Sequence, residues 1–114
     1  MIKDSKGYIW SGGYYNLKCI DPRKNTVRLY PGVNTVTAIE EKDTNFMWVG
    51  TATGLFLLNR NSGEYQYILM PVESTYINTL YQANDGLLYI RTNGSGVLIY
   101  DPGNMSFEHY YADN

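Results

Sequence analysis

Three features of the sequence predict an all-β chain, a partial β-propeller of about three four-stranded antiparallel blades. Tyrosine, which favours strands, is used twelve times against three phenylalanines. The apolar runs are short, are separated by glycine- and aspartate-bearing turns, and show no convincing helical period. One block of residues returns three times, at intervals of 38 and then 41 residues. That period marks propeller arrays, and four short strands per repeat is the count of a blade.

The strands of one repeat are named A to D in chain order. Strand B aligns Tyr8-Ile9-Trp10-Ser11-Gly12 with Phe46-Met47-Trp48-Val49-Gly50 and Leu87-Leu88-Tyr89-Ile90-Arg91. Strand C aligns Leu17–Asp21 with Leu55–Asn59 and Val97–Asp101, the third copy holding one extra residue in Asn93-Gly94-Ser95-Gly96. Strand D follows at a fixed offset, through Val27, Tyr65 or Phe107 and then Tyr30, Ile68 or Tyr110. Strand A reads Thr35–Glu40 and Tyr76–Tyr81, and only Ile2-Lys3 remains of it in the first copy.

The turns agree with this division. Asp4-Ser5-Lys6-Gly7 and Asn84-Asp85-Gly86 join A to B and supply residues for positive φ. Asn45 takes the place of Gly7 in the second copy and is expected in the left-handed region. Gly54 and Gly96 mark the B–C turn, where the first copy has Asn16.

The organisation expected is a partial blade over 1–34 with strands B to D, a full blade over 35–75 and a full blade over 76–114, all one propeller fragment. A blade buries its two faces only against neighbours, and typical rings hold about 4–8 blades. The chain alone is therefore expected to expose apolar faces and to self-associate. Met1 leads directly into mid-repeat residues, so the chain is expected to be cut from a longer protein.

Charge and composition exclude several functions. A net charge of −2 and a pI near 5.2 without a basic run argue against a nucleic-acid partner. No apolar stretch approaches the ~20 residues of a membrane span, so no direct membrane insertion is expected. The single cysteine, Cys19, permits no intrachain disulfide and no cysteine zinc site; it is expected to be buried. No cofactor and no metal are expected.

The recurring polar residues have structural readings. Trp10, Trp48 and Tyr89 return once per blade, which suits packing between blades better than ligand stacking. Asp21, Asn59 and Asp101 suit turns that bond their own backbone, and Asp4, Asp43 and Asp85 suit the A–B hairpins better than a glycosidase pair. His109, the one histidine, is expected on an outer strand and solvated, with no catalytic constellation around it. Catalytic residues: none are assigned.

Residues that break the repeat are the candidates for binding. Tyr14 and Tyr15 fill a B–C turn where the second copy has small residues, and Arg91 replaces a glycine with Asn93 two residues on. In propellers the B–C and D–A loops share one rim, where ligands bind. Tyr14, Tyr15, Asn34, Tyr76, Arg91 and Asn93 are therefore the candidate ligand-facing surface, against the alternative of ordinary loop drift.

The motif Asp-x-x-Gly-x-hydrophobe-Trp-x-Gly-Thr, then Gly-Leu and a strand ending in Asp-Pro, resembles the two-component regulator propeller repeat. Trp48-Val49-Gly50-Thr51 with Gly54-Leu55, Asp4–Trp10 with Asp21-Pro22, and Asp85-Gly86 with Asp101-Pro102 carry the likeness. Tyr89 and Arg91 depart from it in the third copy, and Gly13 and Asn16 in the first. The resemblance implies the periplasmic sensor region of a Bacteroides-type hybrid two-component histidine kinase anchored in the inner membrane. An oligosaccharide ligand, neighbouring blades as partners and no catalysis by this segment are implied with it. A protein-interaction or dimerisation scaffold is the alternative, and a secreted propeller enzyme a further one.

Overall fold

A computed structural model describes residues 1–111. Twelve strands form three four-stranded antiparallel sheets, each ordered as the chain runs. The first sheet holds β1 (Ile2–Lys3), β2 (Ile9–Ser11), β3 (Leu17–Asp21) and β4 (Thr26–Tyr30). The second holds β5 (Val36–Glu41), β6 (Phe46–Thr51), β7 (Gly54–Asn59) and β8 (Tyr65–Ile68). The third holds β9 (Ile77–Gln82), β10 (Leu88–Thr92), β11 (Val97–Asp101) and β12 (Ser106–Tyr110). The chain is thus three blades of a propeller laid side by side, 49 × 29 × 22 Å in extent. The inner strand of the first blade, β1, is two residues long and still pairs with β2.

Register repeats from blade to blade. Trp10 faces Cys19 and Cys19 faces Arg28; Trp48, Leu57 and Gln66 form the same row, as do Tyr89, Ile99 and Glu108. Side chains alternate between sheet faces, so the second blade presents one face to the first blade and the other to the third. Trp10, Leu17 and Tyr30 of the first sheet pack with Met47, Val49 and Leu58 of the second. Trp48, Leu55 and Ile68 of the second pack with Leu88, Ile90 and Leu98 of the third. Trp10 and Trp48 are 0% and 1% exposed, which places both in the interfaces, as their recurrence predicts.

Two glycines set how closely the sheets approach. A Cβ on Gly12 would lie 2.5 Å from Cγ1 of Val36, and one on Gly50 would lie 2.7 Å from Cγ2 of Ile77. Val36 and Ile77 both open the inner strand of the following blade. The glycine two residues after each tryptophan is therefore a socket for the β-branched side chain that begins the next blade.

Polar groups clamp the same interfaces. Asp4, whose side chain is wholly buried, accepts from Trp10 Nε1 at 2.9 Å and from Arg60 Nη2 of the second blade at 2.7 Å. It also accepts from the backbone N–H of Lys6 and Tyr8. Arg60 reaches Glu41 through Nη1 at 3.3 Å and lies over the Trp10 ring. Its carbonyl accepts from Tyr30 Oη at 2.8 Å and Arg28 Nη1 at 2.9 Å. Between the second and third blades the indole's acceptor is neutral: Trp48 Nε1 donates to Gln82 Oε1 at 2.7 Å, and Gln82 N donates to the Glu40 carboxylate at 3.2 Å.

The turn residues behave as their types require. Asp21 accepts from Arg23 N, Asn59 from Asn61 N and Ser62 N, and Asp101 from Gly103 N. Asp43 accepts from Asn45 N and Phe46 N, and Asp85 from Leu87 N. The expected left-handed Asn45 is not found. Gly7 and Gly86 have φ of 90° and 91°, whereas the positive-φ residues other than glycine are Asn25, Thr35 and Met105. In the second blade the N–H groups of Lys42 and Asp43 both reach the Phe46 carbonyl, so the turn closes without Asn45 crossing to positive φ.

Two outcomes follow from this packing. Gly50→Ala should destabilise the chain by about 1–3 kcal/mol through overpacking. The further change Ile77→Ala should cost less in that background than alone, as urea unfolding of the double-mutant cycle would show. The Asp4 carboxyl is pushed up by burial, but hydrogen bonds from Trp10, Tyr8 and Lys6 and the charge of Arg60 outweigh this and hold it below the usual aspartate range. Its stabilisation is thus complete above the unfolded aspartate value of about 3.9 and is lost as pH falls through the lower folded value. Asp4→Ala should cost about 3 kcal/mol or more at neutral pH, since it leaves a buried charge short of its partner. The deficit should shrink in unfolding measured at increasingly acid pH.

Candidate ligand-binding rim

The B–C turns and D–A connections meet on one rim, as the propeller reading requires. The Tyr14 carbonyl accepts from Thr35 N at 3.0 Å and the Gly13 carbonyl from Val36 N at 2.9 Å, which ties the first blade's B–C turn to the start of the second blade. Thr35 takes φ of 54° to make this join. The Asn34 amide nitrogen, in the orientation that satisfies both its polar atoms, donates to the Tyr15 carbonyl at 3.1 Å and to the Val33 carbonyl at 3.2 Å. In the third blade Asn93 N donates to the Tyr76 carbonyl at 2.8 Å, and Ser74 Oγ donates to the Asn93 carbonyl.

All six candidate residues reach the surface, and they fall into two groups and one outlier. Tyr14 and Tyr15, 77% and 79% exposed, stand beside Asn34 at the junction of the first two blades. They border a shallow cavity of about 340 Å³ shared with Ser11, Asn16 and Lys18. Tyr76 and Asn93 form a second group where the third blade begins. Arg91 lies apart from both. It pairs with Thr79 and Val97 on the face of the third sheet turned away from the second. By register it holds the place of Gly12 and Gly50, so an arginine stands where the other two blades have a socket.

Two sequence expectations are corrected. Cys19 is half-buried rather than enclosed, because the Arg28 side of its sheet is only partly covered by the second blade. It lines a groove with Tyr8 and Arg28, and burial pushes its thiol upward in pKa. His109 is likewise half-buried, since it pairs with Leu98 on the face of the third sheet that packs against the second blade. There Nε2 meets the Ser95 carbonyl and the ring lies 3.9 Å from that of Tyr111. The Asp4–Arg60–Glu41 clamp was not legible in the repeat, because Arg60 and Glu41 come from another blade and neither recurs.

Among the described residues no three histidine, cysteine or carboxylate side chains gather in a metal-binding group. The chemistry of the rim is that of exposed phenol rings and amides, which suits recognition of a neutral polar ligand: a ring offers an apolar face and a polar tip together.

The class of molecule that this architecture defines is the β-propeller, here as a three-blade segment. Several solved structures share it. The extracellular domain of BT3049 from Bacteroides thetaiotaomicron, described as a hybrid two-component system, superposes with a TM-score of 0.81 at 15% identity over 94% of this chain and 16% of its own. The extracellular domain of BT4673 from the same organism, also described as a hybrid two-component system, gives a TM-score of 0.77 at 22% identity over 98% of this chain and 16% of its own. A second structure of the BT4673 extracellular domain, described as a one-component system, gives 0.74 at 16% identity over 98% and 15%. The chain spans about one sixth of the length of these structures. No family model and no curated protein matches it.

Proposed function

We propose that this chain is a ligand-sensing segment of an extracytoplasmic propeller belonging to a hybrid two-component sensor histidine kinase, that it is itself non-catalytic, and that its ligand is an oligosaccharide. The observation that carries the reading is the paired exposure of Tyr14 and Tyr15 on a rim whose loops are tied to the next blade by Thr35 and Val36. A ligand held there touches the junction of two blades. Occupancy then favours one arrangement of the ectodomain over another by the difference in affinity between them, and so biases a kinase beyond the membrane. The likeness to extracellular domains of Bacteroides sensors supports the same reading and, with it, a periplasmic location for a parent anchored in the inner membrane.

A scaffold reading also has an observation in its favour. The outward faces of the end blades carry exposed apolar side chains, Val27 and Leu29 on the first and Tyr81 and Tyr110 on the third. Neighbouring blades would cover them, and in the chain alone they favour self-association. Light scattering distinguishes the cases: association that leaves sugar binding absent favours the scaffold, and a clean monomer removes it.

The sensing reading is tested by titrating short neutral glucans, mannans and galactans against the protein by calorimetry. Saturable heat with one of them is expected, and Tyr14→Ala with Tyr15→Ala should weaken it about tenfold or more. Binding untouched by the double change would move the site off this rim. No binding by any of these sugars would overturn the proposed ligand class.

A further inference from the structure

A second groove, of about 390 Å³, lies between the first and second blades at the opposite rim, where the A–B and C–D turns meet. Its size falls within the range of small-molecule pockets, about 300–1,000 Å³. Lys6, Lys24, Arg28 and Arg60 line it, and Asp21 is the carboxylate in its wall.

The charges do not balance. Arg60 is matched by Asp4 and Glu41. Asp21 is matched from outside by Arg23, through its N–H at 3.1 Å and Nε at 3.8 Å. Lys6, Lys24 and Arg28 have no carboxylate within ion-pair distance among the described residues. Lys6 Nζ donates to the Thr44 carbonyl, and Arg28 donates to the carbonyls of Arg60 and Asn61. Those bonds aim the cations without neutralising them. A chain of net charge −2 thus gathers unanswered positive charge in one concave place, with the half-buried Tyr8 ring as an apolar wall. Low-dielectric walls strengthen the attraction of such a cleft for an anion.

We propose that this groove binds a small oxyanion, a carboxylate or a sulfate ester, carried on a body the size of one sugar ring. Arg28 is held by its two carbonyl bonds and by stacking over Tyr30 at 4.5 Å, so it presents a fixed charge. Lys24, exposed at the mouth, supplies a mobile one that closes on the bound anion. The site lies on the rim away from Tyr14 and Tyr15 and stands or falls independently of the sensing reading.

The test is a titration of the isotope-labelled 114-residue chain, followed by NMR, with glucuronate, glucose 6-sulfate, neutral glucose and inorganic sulfate. Saturable shifts at Tyr8, Lys24 and Arg28 are expected with one or both charged sugars and not with glucose, and the arm that saturates identifies the oxyanion. Lys24→Glu, an exposed turn substitution, should weaken binding about tenfold, and raising the salt should weaken it in the unmodified chain. The proposal is overturned by shifts that never saturate, by glucose binding as well as its charged counterparts, by inorganic sulfate matching glucose 6-sulfate, or by Lys24→Glu leaving the affinity unchanged.

Discussion

Every feature of this chain depends on the burial of one sheet's tryptophan face against the next sheet. A four-stranded meander with apolar residues on both faces has no stable existence in water alone. It becomes stable only when a second sheet removes one of those faces from solvent. Trp10 and Trp48 are the largest fully buried side chains, and truncating a side chain of this kind costs about 3–5 kcal/mol. Close approach demands room, and Gly12 and Gly50 provide it. The apolar term and the backbone contour are two aspects of one constraint, which explains why tryptophan and glycine sit two residues apart in both blades.

The interfaces differ in how they satisfy the indole N–H. In the first, the acceptor is Asp4, a buried carboxylate that requires Arg60 from the second blade. In the second, it is the neutral Gln82 of the third blade. The ionic version ties orientation to charge: Arg60 is fixed by Asp4 and Glu41 at one end, while its carbonyl orders Tyr30 and Arg28 at the other. A buried ion pair is not in itself a source of much stability. Its consequence here is geometric. It positions Arg28 at the edge of a groove and leaves that arginine's charge unspent.

Much of the fold was legible in the sequence because the repeat carries it. Strand boundaries, the extra residue of the third B–C turn and the Asx roles of Asp21, Asn59 and Asp101 all follow from local chemistry recurring at a fixed period. What escaped was whatever one blade does to another. Cys19 is half-buried because coverage of its face stops partway along the sheet, and no property of Lys18-Cys19-Ile20 announces that. His109 is half-buried because its row, Ile90, Leu98 and His109, faces the second blade, which the repeat of its own strand does not reveal. The rim candidates were chosen as departures from the repeat, which locates Tyr14 and Tyr15 on an exposed turn. It cannot distinguish a departure in a loop from a departure in a socket.

Arg91 shows why that distinction matters. Gly12 and Gly50 each admit a β-branched side chain from the blade that follows, so closely that a Cβ on either would lie less than 3 Å from it. Arg91 occupies the corresponding place on the open face of the third sheet, beside Tyr89, Val97 and Thr79. A sheet stacked there with an inner strand beginning like β5 or β9 would drive a valine or isoleucine into the arginine's own side chain, an overpacking of the kind that costs about 1–3 kcal/mol. It would also strip water from a guanidinium that has no carboxylate within ion-pair distance among the described residues, at a further cost. The packing rule of the first two interfaces therefore cannot operate unchanged at the third. A sheet stacked on that face would have to leave space opposite Arg91 and answer its charge, two demands that Gly12 and Gly50 do not make of the blades that follow them.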